Sequence, residues 1–186
     1  MAFLVFVGLL VVTGLLRVGE VLVSWRRQAA RADAVVAEGP LFPAMALLHA
    51  ALIVLPMAEV EALQRPFLPW LAGLSAALLV AATALRVWTL STLGRAWNVR
   101  VVRPEEQQVV TSGPYRWIRH PNYLCVVLEI VALPLFHTAV LSAIALTLWN
   151  AAVLVVRIRN EEAVLSRIPA WRDAFSSRSR LIPYVF

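Results

Sequence analysis

The sequence predicts an all-α integral membrane bundle of five transmembrane helices. Three observations lead there. The chain of 186 residues is 61% hydrophobic, with a mean hydropathy of +0.76, well above the roughly 45–50% apolar share usual in soluble domains. Its apolar residues fall into uncharged runs close to the ~20 residues that a helix needs to cross the hydrocarbon core. All 17 basic residues are arginine, and all but Arg17 and Arg86 lie between the apolar runs or in the tail. No fixed period repeats, so one domain is expected.

The first span covers residues 2–25; it is uncharged through Leu16 and then carries Arg17 and Glu20, spaced to pair on one helical face. It has no basic segment ahead of it, which argues for a retained span rather than a cleaved signal peptide. The second, 41–58, is set off by Pro40 and Pro56. The third, 67–90, is uncharged through Leu85, and Arg86 is then expected to snorkel to the interface. The fourth and fifth, 122–136 and 138–156, leave little length for two crossings, so a tight hairpin turning at Pro134 and His137 is expected. One membrane domain thus divides into three spans (1–93), a loop (94–121), the hairpin (122–156) and a tail (157–186). In the tail, the fifth helix is expected to continue past the membrane, Pro169 to interrupt it, and Trp171 and Phe175 to pair on an interfacial amphipathic helix.

Charge sets the orientation. With the N-terminus facing away from the cytoplasm, Arg26, Arg27, Arg31, the arginines from Arg95 to Arg119 and all those from Arg157 onward are cytoplasmic, and only Arg65 is clearly left outside. Loop and tail then share the cytoplasmic side, where a cofactor-binding loop is expected. The net charge of +6 reports topology and anionic headgroups; no basic-aromatic nucleic-acid module is visible.

The densest chemistry lies in residues 109–124, Val-Val-Thr-Ser-Gly-Pro-Tyr-Arg-Trp-Ile-Arg-His-Pro-Asn-Tyr-Leu. Gly113-Pro114 marks a turn, and Pro121 suits the first turn of a helix. The backbone N–H groups at that start, with Arg119 and His120, make a corner that favours an anion. The plainer reading is that Arg116 and Arg119 are anchors and Tyr115, Trp117 and Tyr123 an aromatic belt. Glu129 sits at membrane depth, where an ionisable group is a functional candidate; the plainer reading is a glutamate bonded to a neighbouring helix. Glu161 and Glu162 point about 100° apart on one helix, so one of them faces a site, and Arg157 shares the face of Glu161. A structural salt bridge is the plain alternative. His49 is read as an interhelical hydrogen bond and Asn150 as helix glue. The single cysteine, Cys125, excludes an intrachain disulfide; there is no metal-ligand spacing, no Walker loop and no Gly-x-Gly-x-x-Gly.

Residues 109–124, followed by Arg-x-x-x-Glu-Glu-x-x-Leu at 157–165 and a closing Arg-x-Arg-Leu-Ile-Pro, resemble the isoprenylcysteine carboxyl methyltransferase family over about the C-terminal half. The resemblance implies a membrane enzyme that transfers a methyl group from S-adenosylmethionine to a lipophilic acceptor. By position, Gln107, Gln108, Val109 and Val110 would contact the cofactor through backbone. Tyr115, His120, Pro121, Asn122 and Tyr123 would wrap it, and Glu161 would accept its hydrogen bonds. Arg157 would meet the acceptor, with Glu129 a further acceptor-side candidate, and Arg119 and Glu162 would complete the catalytic set by supporting the site. An isoprenylcysteine carboxylate or a mimic leads among acceptors, ahead of a lipid, a quinone-like phenol or a polyketide. A carboxylate needs no general base; a phenol or amine would, with Glu129 or Glu162 as candidates. Two positions depart from the family pattern: Cys125 where glycine is usual, and Ala151 after Asn150 where proline is frequent. Two alternatives stand beside this reading. One is an NADPH-dependent reductase of sterol-reductase type, which shares an Arg-His-Pro-Asn-Tyr ending; the other is a non-catalytic membrane scaffold.

Overall fold

Proline opens three of the helices, because a residue that lacks an N–H and has φ fixed near −65° suits a first turn. These are α3 (Pro69–Leu93), α4 (Pro121–Leu135) and α6 (Pro169–Phe175); α1 (Ala2–Ala29), α2 (Leu41–Ala62) and α5 (Val140–Leu165) complete the set. The chain was analysed as a computed structural model, which describes residues 1–29, 41–94 and 109–183, with side chains from 27 to 29 left aside.

Among the described residues, α1, α2, α3 and α5 are long and apolar enough to cross a membrane. The count of five transmembrane helices is corrected by α4, which has 15 residues and so extends only about 22 Å against a hydrocarbon core of about 30 Å, in keeping with the short hairpin read from the sequence. Pro121 fixes its start, and at its end Pro134 leads into a turn in which Thr138 takes φ 57° and donates its hydroxyl hydrogen to the Pro66 carbonyl. The second correction concerns Pro56. It lies inside α2 instead of ending it, and the helix continues to Ala62. A buried proline removes one N–H from a helix and leaves the rest of the ladder able to continue.

The opposite end of α5 is held from a distance. Ala139 offers no side-chain cap, and Glu59 of α2 supplies the acceptors: its carboxylate takes the N–H of Leu141 at 3.1 Å, the N–H of Ser142 at 2.6 Å and the Ser142 hydroxyl at 2.7 Å. Arg65 balances its charge at 2.8 Å. A carboxylate at a helix N-terminus satisfies orphan donors and meets the positive end of the dipole.

Phe6, Leu10, Leu48, Leu52, Ile130, Leu133 and Leu146 form the main core, shared by α1, α2, α4 and α5. α4 packs between α3 and α5, while α1 leans chiefly on α2. A 3-10 turn, Gly113–Arg116, precedes α4. Gly113 sits at φ +57°, and a Cβ there would lie 2.3 Å from Thr92 Oγ1 on α3. Both backbone and space therefore require glycine. Gly113→Ala is expected to cost about 1–3 kcal/mol from the strained φ alone, measured by thermal unfolding in mild detergent, with Thr92→Ala recovering only the steric share.

In the tail, α5 continues to Leu165 and α6 begins at Pro169, where the sequence places the break, with the Trp171 and Phe175 rings stacked at 5.2 Å. Phe175, however, is buried against Tyr115 rather than laid out on a membrane surface, their ring centroids 6.5 Å apart. Beyond it, residues 176–180 run alongside 118–120. The Arg119 N–H donates to the Ser179 carbonyl at 2.9 Å and the His120 N–H to the Arg180 carbonyl at 3.0 Å.

Candidate active site

The first turn of α4 and the last turns of α5 meet at one end of the bundle, which brings His120 and Tyr123 against Arg157, Glu161 and Glu162. The His120 and Tyr123 rings stack at 5.2 Å. The buried Tyr123 hydroxyl accepts a hydrogen bond from Arg157 Nε at 2.6 Å and donates its own hydrogen to the Glu161 carboxylate. The Arg157 guanidinium also lies 5.3 Å from the centre of the Tyr123 ring. A cation, a phenol and a carboxylate are thus joined in series.

Glu162 faces elsewhere, as neighbours 100° apart on a helix must. Its carboxylate accepts from Arg119 Nη1 at 3.2 Å, lies 3.2 Å from His120 Nε2, and holds Arg180 Nη2 at 2.9 Å. Arg119 in turn donates to the carbonyls of Arg178 at 2.7 Å and Ser176 at 3.0 Å. The anion held by the corner at the start of α4 is the chain's own Glu162. Arg119 and Glu162, expected in the catalytic set, are placed to fasten the tail to the start of α4. Glu162→Ala is expected to free that strap: limited trypsin digestion should cut after Arg178 and Arg180 several-fold faster than in the parent protein.

Tyr115 stands at the edge of this group. Burial, and then the Glu161 carboxylate, push its phenol well above the usual range, so it stays protonated as a donor. Its carbonyl accepts from Arg178. Pro121 is buried at the first position of α4, and Val109 and Val110 are half-buried ahead of the 3-10 turn. Gln107 and Gln108 lie outside the described residues.

A cavity of about 550 Å³ runs between α1 and α2 on one side and α4 and α5 on the other. Most of its wall is apolar, with Leu10, Gly14, Leu48, Ile53 and Trp25 among the lining residues. Its polar wall consists of Arg17, Glu20, Arg86, Asn122, Tyr123 and Arg157, together with His49 and Asn150. A volume of this size suits a chain-bearing small molecule. Tyr123 and Arg157 therefore border the cavity, and Glu161, outside its lining, is joined to it through the Tyr123 hydroxyl.

Several residues depart from their expected places. Arg86 does not reach for an interface; it is 5% exposed and turns inward, with Nη2 at 2.9 Å and Nε at 3.2 Å from the two Glu129 oxygens. Glu129 is then the partner of a cavity-lining arginine rather than a lining group itself. Asn122 Oδ1 accepts from Arg86 Nη1 at 3.2 Å, and the residue lines the cavity. A guanidinium at this depth is far better stabilised by a buried carboxylate than by hydrocarbon. The signal was present in the sequence as two opposite charges, Arg86 and Glu129, each alone in a different span. His49, read as an interhelical bond, has its Nδ1 at 2.8 Å from Met45 O of its own helix. Cys125 is fully buried and donates its thiol hydrogen to the Pro121 carbonyl at 3.3 Å.

Apolar helices long enough to cross a membrane, around a largely apolar cavity with an Arg-Tyr-Glu series at one end, define an integral membrane protein. The family is specified by sequence: residues 75–167 match the model of the isoprenylcysteine carboxyl methyltransferase (ICMT) family, and the chain belongs to that family. YpbQ of Bacillus subtilis, described as uncharacterized, is 33% identical over 124 residues, 67% of this chain and 73% of that protein. The nickel-cobalt-cadmium resistance protein NccN of Alcaligenes xylosoxydans is 37% identical over 80 residues, which cover 42% of this chain and 38% of that one. Among solved structures, the eukaryotic intramembrane Ras methyltransferase ICMT superimposes with a TM-score of 0.61 at 24% identity. That match covers 77% of this chain but only 53% of the other, so it speaks for the fold alone.

Proposed function

We propose that this protein transfers a methyl group from S-adenosylmethionine to a lipophilic acceptor held in the cavity, with an isoprenylcysteine-like carboxylate as the leading acceptor class. One observation carries the reading: Tyr123 joins Arg157, which lines the cavity, to Glu161 beyond it, so that two ligands could meet across one side chain. Family membership supports the methyltransferase class.

The residues present fit the cofactor. A cationic sulfonium with an ammonium group is matched by the Glu161 carboxylate and by the stacked faces of His120 and Tyr123. Glu161, Tyr115, His120 and Tyr123 would hold S-adenosylmethionine, which when bound supplies an electrophilic methyl group on sulfur. Pro121 would set the start of α4, and Val109 and Val110 would offer backbone. Gln107 and Gln108 belong to the same proposal. Arg157 would orient the acceptor's oxygen, and a carboxylate acceptor is already ionised, so no residue need take its proton. The apolar cavity wall would exclude water from the reacting pair. Arg119 and Glu162 support the site by holding the tail, and Glu129 acts on the acceptor side through Arg86. The arginine distribution supports a cytoplasmic position for this end of the bundle.

Titration of the purified protein with S-adenosylhomocysteine and with NADPH tests the reading. Saturable binding of S-adenosylhomocysteine alone is expected. Binding of NADPH alone would favour the reductase, and binding of neither a scaffold.

A further inference from the structure

Four ionisable side chains meet at membrane depth beside the cavity: Arg17 and Glu20 on α1, Arg86 on α3 and Glu129 on α4. Their side chains are 13%, 18%, 6% and 8% exposed, respectively. The pairing is uneven. Within α1, Arg17 Nη1 is 2.7 Å from Glu20 Oε2. Between α3 and α4, Arg86 Nη2 is 2.9 Å from Glu129 Oε2 and a second contact makes the pair bidentate. The contacts that join α1 to the other two helices are longer, 3.5 Å for Arg86 to Glu20 and 3.6 Å for Arg17 to Glu129.

Each half is therefore neutral by itself. Moving one charge of a buried pair away from its partner leaves an uncompensated charge at great cost. Moving two neutral pairs apart does not; it sacrifices only the weaker cross contacts. The rest of α1 is disposed for the same motion. Away from this cluster it packs chiefly on α2, and its far end is fastened by the stacking of Phe6 on Phe136 at 6.4 Å and the edge contact of Phe3 with His137 at 5.9 Å. Between Thr13 and Trp25, Thr13, Arg17, Val18, Val21 and Trp25 line the cavity, while Gly14 lies close against Ile53 of α2.

We infer that Arg17 and Glu20 control access to the cavity. They form the α1 half of a self-neutral seam that parts to admit a membrane-borne amphiphile sideways from the bilayer and closes over it. The inference rests on the proposal that the cavity holds the acceptor. Arg17 and Glu20 are positioning residues in this scheme: they touch no reacting atom, and they set how often α1 stands away from α3 and α4.

Spin-label distances test it without any methyl transfer. Labels are attached to Val23→Cys on α1 and Val87→Cys on α3, both exposed positions, in a Cys125→Ala background reconstituted in nanodiscs. N-acetyl-farnesylcysteine serves as the probe amphiphile. A short distance with a second, longer population is expected, and the probe should shift their ratio. Glu20→Gln leaves Arg17 without its partner on α1 and tied only to Glu129, so the longer population should shrink. The exchange Arg17→Glu with Glu20→Arg keeps each half neutral but makes the facing charges repel, so the longer population should grow. A single distance unaffected by probe or variants would overturn the inference, as would a longer population that grows in Glu20→Gln, the response of an ordinary salt bridge. Either result leaves the binding of S-adenosylhomocysteine, and the proposed function, standing on its own test.

Discussion

Arg86→Ala is expected to destabilise the protein by about 3–5 kcal/mol, the range for removing one member of a buried ion pair. Glu129, 6% exposed, would keep only Arg17 at 3.6 Å, and Asn122 would lose the donor on its Oδ1. The cost comes from a stranded charge rather than from lost attraction. The double replacement Arg86→Leu with Glu129→Leu should therefore recover most of it, although it removes the pair entirely. Thermal unfolding in mild detergent measures both. Equal losses in the single and double variants would mean that the pair contributes through its attraction.

The second large effect falls on the Arg157, Tyr123 and Glu161 series and should separate by substrate. Hydrogen bonds to charged groups contribute about 1.5–3 kcal/mol, or about ten- to 150-fold in an equilibrium constant. Glu161→Ala is expected to weaken S-adenosylhomocysteine binding by such a factor while leaving the KM of the acceptor nearly unchanged. Arg157→Ala should do the reverse. Tyr123→Phe, which removes the hydroxyl between them and keeps the ring stacked on His120, should affect both. Equal losses of both substrates in all three variants would point to collapse of the site as a unit, and calorimetry with each ligand separates these outcomes.

Much of this site was legible in the sequence because its parts are local. Pro121 opening a helix, the one-turn spacing of Arg157 and Glu161, and the break at Pro169 each follow from rules that act within a few residues. Even the divergence of Glu161 from Glu162 follows from helix geometry, although which of the two meets Tyr123 required the packing of α4 against α5. What stayed hidden is non-local. Glu59 falls just past the second span read from the sequence, yet it caps α5 from 82 residues away. Arg86 read as a snorkelling anchor because one span in isolation gives a cation no other recourse; the carboxylate that draws it inward is 43 residues along the chain. Pro56 read as a helix end because the rule for proline is statistical, and its burial in the bundle decided otherwise. The turn after α4 was expected, but its fastening at Thr138 to the carbonyl of Pro66 is a contact with no trace in either segment alone.

Methyl transfer itself is the most direct test. The purified protein in nanodiscs is incubated with S-adenosylmethionine labelled in its methyl group, together with N-acetyl-farnesylcysteine or a total lipid extract, and the organic phase is counted. Label should enter the organic phase in proportion to active protein, should fall sharply in Glu161→Ala, and with the farnesylcysteine probe should be released as methanol by mild base, as a methyl ester requires. Absence of organic-phase label from both acceptors, in protein that binds S-adenosylhomocysteine, would contradict methyl transfer to a membrane-borne acceptor.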